Sequence, residues 1–272
     1  MSERYWRWQA AAALLAGATA ATVAGCGSGS GNAATGAVSN GASASGLAGP
    51  AGTGADAGAG QADATAPAAM TAIINKTGIT APRLREALLT KIDGAGPVGA
   101  VQSGEYGILP DVLASKQSLQ AVSVTPARCA KATATGFDSE LFSASPASVV
   151  TFRVGRDGVS EVLVAATPEM AARALANHVL AGCDHYQATV AGRTFSYAVQ
   201  EATLSGIADQ ARALNVKASG YADVDVWSVV YRGTGFVGAV TIVGPDATEK
   251  AAKLLARDAY ARAAEILHPR VH

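Results

Sequence analysis

Charge of one sign never prevails in this chain. Over 272 residues, 21 Lys and Arg stand against 21 Asp and Glu, and no Lys/Arg run occurs. The electrostatic footprint that DNA or RNA binding needs is therefore missing. Aromatic residues make up only 6% of the chain. Cysteine is scarcer still: Cys26, Cys129 and Cys183 are all there are, and no two form a CxxC doublet. Such spacing speaks against a structural zinc site. P-loop, zinc-protease helix and serine nucleophile elbow strings are absent from the part of the chain that reads as folded. No cofactor and no metal is expected, and the reading is of a protein that is not an enzyme.

What is present begins with an export pattern. Arg4 and Arg7 form a basic head, Trp8 to Gly25 is uncharged and rich in Ala, Leu and Val, and small residues precede a cysteine in Val23-Ala24-Gly25-Cys26. This order resembles the lipobox of bacterial lipoproteins, with Val23 where Leu is most common. Maturation at such a box attaches a diacylglycerol to the cysteine sulfur and cuts in front of it. An uncleaved membrane span fits less well, because the segment is short and dominated by residues that partition weakly into lipid. Residues 1–25 are thus expected to be a signal peptide and Cys26 the lipid attachment site, on the extracytoplasmic face of a cell membrane.

From Gly27 to about Ala69 the chain is nearly all Gly, Ala, Ser and Thr, with no aromatic residue. It cannot build a core, so residues 26–75 read as a disordered tether. About 40 flexible residues span roughly 35 Å, enough to hold a domain away from a membrane.

Residues 76–272 read as one domain, long enough to bury a full core. Pro82 to Ile92 carries Leu84, Leu88 and Ile92 at helical spacing and should end near Gly94. Val98 to Tyr106 suggests a strand and Pro110 to Leu119 a short helix. Val150, Phe152 and Val154 alternate with polar residues, and Asp157-Gly158 offers turn chemistry before Val159 to Ala165. Thr167-Pro168-Glu169 opens a helix expected to run to about Ala181. Strands follow at Tyr186–Val190, Phe195–Val199, Ala211–Ala218, Asp223–Arg232 and Phe236–Val243; propensity alone would make Ala208 to Leu214 a helix, but Leu214, Val216 and Ala218 alternate with polar residues. A last helix starts at Asp246, with Glu249 completing a capping box and Ala252, Leu255, Ala259, Ala263 and Ile266 forming its apolar stripe. Hairpins punctuated by helices imply an α+β domain, a mostly antiparallel sheet with helices packed on it.

Three constellations could carry chemistry. Gly233-Thr234-Gly235-Phe236-Val237-Gly238 matches GxGxxG, but the strand formers after it deny the helix that a dinucleotide site requires. It reads as a hairpin turn. His178, Cys183, His185 and Cys129 could hold zinc; in an exported chain an even pair of cysteines more simply forms a disulfide, Cys129 to Cys183. Asp138 with Glu140 and Asp223 with Asp225 are carboxylate pairs that read as solvated edges. Phe195, Tyr197, Trp227, Tyr231 and Phe236 on the strand-rich half read as core. No ligand residues can be named.

Leu88-Leu89-Thr90, Thr125-Pro126-Ala127-Arg128-Cys129, the Val149-Val150 strand, the helix delivering Cys183, and Tyr231-Arg232-Gly233 before the Val240 strand are together similar to the PknH-like extracellular sensor domain. That domain occurs outside the membrane in actinobacterial receptor serine/threonine kinases and in lipoproteins. The resemblance spans about Leu84 to Leu267 and implies an α+β domain with a ligand-binding cleft, supplying no catalytic residues. The kinase-borne member has two disulfides; here there are cysteines for one. The expected function is that of a non-catalytic, lipid-anchored sensor-like lipoprotein. Its partners would be the membrane, through Cys26, and an unknown small-molecule, lipid or cell-wall ligand. A carrier of lipid or another apolar molecule, and a cell-wall hydrolase, are the alternatives.

Cys26→Ala should leave an unprocessed precursor without diacylglycerol. Metabolic labelling with a fatty acid, read with the precursor's mass, checks this; normal processing and labelling of the variant would overturn it.

Overall fold

The computed structural model describes residues 65–132, 137, 140–208, 210–220 and 223–268, so Cys26, Asp138 and the tether up to residue 64 lie outside it. In chain order the helices are α1 (Thr65–Thr77), α2 (Ala81–Ala87), α3 (Pro110–Gln120), α4 (Pro168–Leu175) and α5 (Glu249–Leu267). The strands are β1 (Gln102–Glu105), β2 (Val122–Thr125), β3 (Pro146–Val154), β4 (Asp157–Ala165), β5 (His185–Val190), β6 (Arg193–Thr203), β7 (Gln210–Ser219), β8 (Val224–Gly233) and β9 (Phe236–Gly244). All nine join one antiparallel sheet in the order β1-β3-β4-β9-β8-β7-β6-β5-β2. The α+β expectation is met. α1 corrects one boundary, because the end of the stretch expected to be tether is helical and its Ile73 packs against the core.

The two sheet faces are covered differently. On one, α2 and α5 press on β3, β4, β9 and β8. Ala252, Ala256, Ala259 and Ala263 of α5 are completely buried, and such small side chains let a helix lie close on a sheet. The expected stripe omitted Ala256; Leu255 and Ile266 flank it, half-buried. On the opposite face, Tyr106, Phe137 and Phe142 cluster with Val149, Val162 and Val164, and α4 adds Met170 and Ala174. Further along that face, under β8, β7, β6 and β5, the Cys129–Cys183 disulfide packs with Tyr186, Tyr197 and Val216.

Helix ends differ from the periodic reading for an identifiable reason. α2 stops at Ala87, five residues before Ile92, and Leu88 is extended (ψ 154°). The Leu89 N–H donates to Glu161, and the carbonyls of Glu86 and Leu88 accept from Arg262. Side chains from β4 and α5 thus take the backbone groups that further helical turns would use. α4 ends at Leu175 rather than near Ala181, and the Val179 N–H is taken by Glu201 of β6. At α5 the N-cap is Thr248, whose hydroxyl accepts from the Ala251 N–H at 3.2 Å. Asp246, expected to start that helix, is held by the Arg156 guanidinium through two hydrogen bonds of 2.9 and 2.6 Å.

Turn glycines have specific duties. Val154 pairs with Asp157, so the β3–β4 turn is Gly155-Arg156, with Gly155 at φ 58°; Asp157-Gly158 belongs to β4, not to the turn. In the β8–β9 hairpin Gly233 pairs with Phe236 across a Thr234-Gly235 turn. A Cβ at Gly233 would come within 2.2 Å of the Phe236 ring, and one at Gly238 within 2.4 Å of the Tyr231 ring. Gly235 has φ 73°. The GxGxxG string is a hairpin that seats two aromatic rings flat on its backbone.

Gly238→Ala should destabilise the domain by about 1–3 kcal/mol, the usual cost of overpacking. Gly158→Ala, whose Cβ would meet nothing nearer than Val243 O at 4.0 Å, is the tolerated control. Urea unfolding of both variants decides. Cys129→Ser should cost about 2–5 kcal/mol, since the bridge closes a long loop; a melting curve unchanged from that of the wild type would contradict it.

Candidate functional site

The register shows which side chains of the sheet meet solvent. On the face that carries α2 and α5, the helices end at β8, and the core beneath them reaches Ala213 and Asn215 of β7. At that border, Trp227 of β8 stands beside Asn215 of β7 and Gln200 of β6 in one cross-strand row. The next row runs Asp225, Lys217, Ala198, His185. Asn215 is buried, its amide nitrogen donating to the Val226 carbonyl at 3.2 Å, whereas Gln200, Lys217 and His185 are exposed. Lys217 lies 3.9 Å from the Asp225 carboxyl. This half-sheet is open and polar. One half-buried indole, Trp227, sits where it meets the helix-covered half.

The open part is a rigid platform because its underside is packed. Tyr186 and Tyr197 stack at 5.0 Å beneath β5 and β6, and burial pushes the Tyr197 hydroxyl up to about 12. Glu201 ties the segment after α4 to the same underside. It accepts from the Val179 N–H at 2.8 Å, from Arg212 at 3.1 Å, and lies 3.1 Å from His178 Nδ1. Burial alone would raise the Glu201 carboxyl, but the hydrogen bonds from Val179, His178 and Arg212 and the Arg212 charge together hold it below its ordinary range.

The residues singled out in the sequence separate. Cys129 and Cys183 are joined, as expected, with Cα atoms 5.3 Å apart. Neither sulfur is then a thiolate that could bind zinc; His178 belongs to the Glu201 cluster and His185 lies on the open face beside Asp184. Asp225 belongs to the same open face, facing Lys217. Of the five aromatics, Tyr197, Tyr231 and Phe236 are buried, while Phe195 and Trp227 are half-buried.

One residue escaped the sequence reading. Glu161 sits in the middle of β4 with 1% of its surface exposed. The signal was available, since Val159, Glu161, Leu163 and Ala165 share one strand face and only one of them is charged. Its carboxyl faces the α2–α5 layer, where the Tyr231 hydroxyl is also buried.

Neither a protein-family model nor a curated protein matches the sequence. Among solved structures, the chain is similar to the extracellular domain of PknH from Mycobacterium tuberculosis. The match has 13% identity and a TM-score of 0.45, and covers 71% of this chain and 98% of that one. It is also similar to an Rv0999 ortholog from Mycobacterium smegmatis, with 15% identity and a TM-score of 0.35, covering 53% of this chain and 77% of that one.

Proposed function

We propose that the chain is a lipoprotein anchored through Cys26 on the outer face of a cell membrane, whose α+β domain binds a polar ligand on the open half of the sheet. The carrying observation is the asymmetry of that sheet. Its β8-to-β5 part is packed underneath by the disulfide cluster, yet on the other side it presents Gln200, Lys217, Asp225 and the Trp227 indole on hydrogen-bonded backbone. Amide, ammonium and carboxylate groups beside an aromatic surface can orient a polar ligand through hydrogen bonds and stacking. Opposite charges in one row favour a ligand of little net charge. The task is recognition and not catalysis, and the tether supplies reach from the membrane.

Trp227 makes the proposal simple to test. The other two tryptophans are Trp6 and Trp8, which precede Cys26, so indole emission from the mature chain comes from Trp227 alone. Fractions of cell-wall glycopeptide and of envelope lipid should be titrated against the mature protein. A shift in emission with the glycopeptide fraction, weakened about tenfold by Gln200→Ala or by Lys217→Ala, is expected for the one hydrogen-bonding group that each change removes. A response to lipid alone, unaffected by these changes, would overturn the polar site and favour the carrier reading.

A further inference from the structure

Glu161 lies within the α2–α5 layer with an arrangement that neither the sheet nor the proposed ligand face requires. Its Oε2 accepts from the Leu89 N–H at 2.7 Å, and its Oε1 is buried with no hydrogen-bonding partner among the described residues. Leu89 follows the end of α2. Beside it, Arg262 of α5 donates to the carbonyls of Leu88 at 2.6 Å and Glu86 at 2.9 Å. The end of α2 is therefore gripped by an acid from the sheet and a guanidinium from α5. Arg262 spends two of its donors on carbonyls, and no hydrogen bond joins it to the acid among the described residues. A second buried polar atom without a hydrogen-bonding partner among the described residues, Tyr231 Oη, lies on the same face; its ring crosses β9 over Gly238.

We propose that Glu161 is a proton-operated latch: as the neutral acid it pins the end of α2 to the sheet, and its ionisation loosens the segment from Leu88 to Ile92. A buried carboxylate without a full ion pair is costly, whereas the neutral acid can keep the Leu89 bond through its carbonyl oxygen. Once charged, the acid competes with the Leu88 and Glu86 carbonyls for Arg262, or draws in water; either change slackens the grip. The groups around it are few. β3 and β9 present Val150 and Val240, its register partners. β8 brings Tyr231, and α5 brings Arg262 and Tyr260, the latter edge-on to Tyr231 at 6.0 Å. The charged side chains of α2, Arg83, Arg85 and Glu86, are exposed, and Arg83 pairs with Glu86.

Burial pushes the Glu161 carboxyl up from its ordinary 4.5 to about 8, with the Leu89 N–H and the Arg262 charge pulling the other way. The sign follows directly. A group whose pKa is raised by folding gives stability that is complete below pH 4.5 and is lost as the pH rises through about 8.

Two measurements on the mature protein test this. In the wild type, the carbon-13 shift of the Glu161 carboxyl should titrate with a midpoint near 8. Amide protection at Leu88 to Ile92, corrected for the intrinsic pH dependence of exchange, should fall about 10- to 100-fold between pH 6 and pH 9. Glu161→Gln should hold that protection constant. A carboxyl midpoint below pH 5 would overturn the latch. So would protection in the wild type that does not change, or a fall that persists in Glu161→Gln. The carboxyl titration needs no variant, so it decides even if Glu161→Gln fails to fold.

Discussion

Nine strands about 4.8 Å apart make a sheet roughly 38 Å wide, whereas two helices side by side cover about 20 Å. Most of this domain's architecture follows from that mismatch. On one face α2 and α5 lie over the β1-to-β8 part and leave Gln200, Lys217 and His185 beyond it exposed. On the other, short helices, single-turn segments and the disulfide cluster fill the width piece by piece. The polar floor at Gln200 and Lys217 is where the helices run out, and alternation along each strand lets its two sides serve different purposes. Val216 is core, and its neighbour Lys217 is surface.

The close approach of α5 depends on small residues on both partners. The alanines of the helix and Gly238 of the sheet leave room in which Tyr231 and Phe236 lie flat on the backbone with Tyr260 against them. Rings placed this way bury large apolar areas, on the order of 1.5–3 kcal/mol for each side chain. The same closeness makes Glu161 inaccessible to water, and ties the protonation of one acid to the seating of a helix.

Strand identity was legible because alternation is local. Leu214, Val216 and Ala218 read correctly as a strand despite the helix propensity of the residues before them, and the GxGxxG string read correctly as a hairpin because strand formers follow it. Helix ends were not legible. α2 and α4 are stopped by Glu161, Arg262 and Glu201, which lie 22 to 176 residues away in sequence from the groups they capture. The β3–β4 turn was misplaced by two residues because Gly155 and Gly158 both offer turn chemistry, and only register chooses between them. The cysteine pair was readable from number and context. The open face was not, for a strand carries no local mark that says which of its sides will receive a helix.

The strand order has a further bearing on assembly. β1 and β2 come first in the chain, yet they occupy opposite edges of the sheet. β1, β3 and β4 form one partial sheet, and β2, β5, β6 and β7 form another. The hairpin of β8 and β9 alone bridges them, with β9 beside β4 and β8 beside β7. A polypeptide emerging N-terminus first therefore carries two incomplete sheets with unpaired inner strands until its final hairpin arrives. Non-local pairing of this kind is slow and exposes strand edges to wrong partners. The β8–β9 hairpin is the keystone of the domain, and any chain ending before Val224 would be left with two halves and nothing to join them.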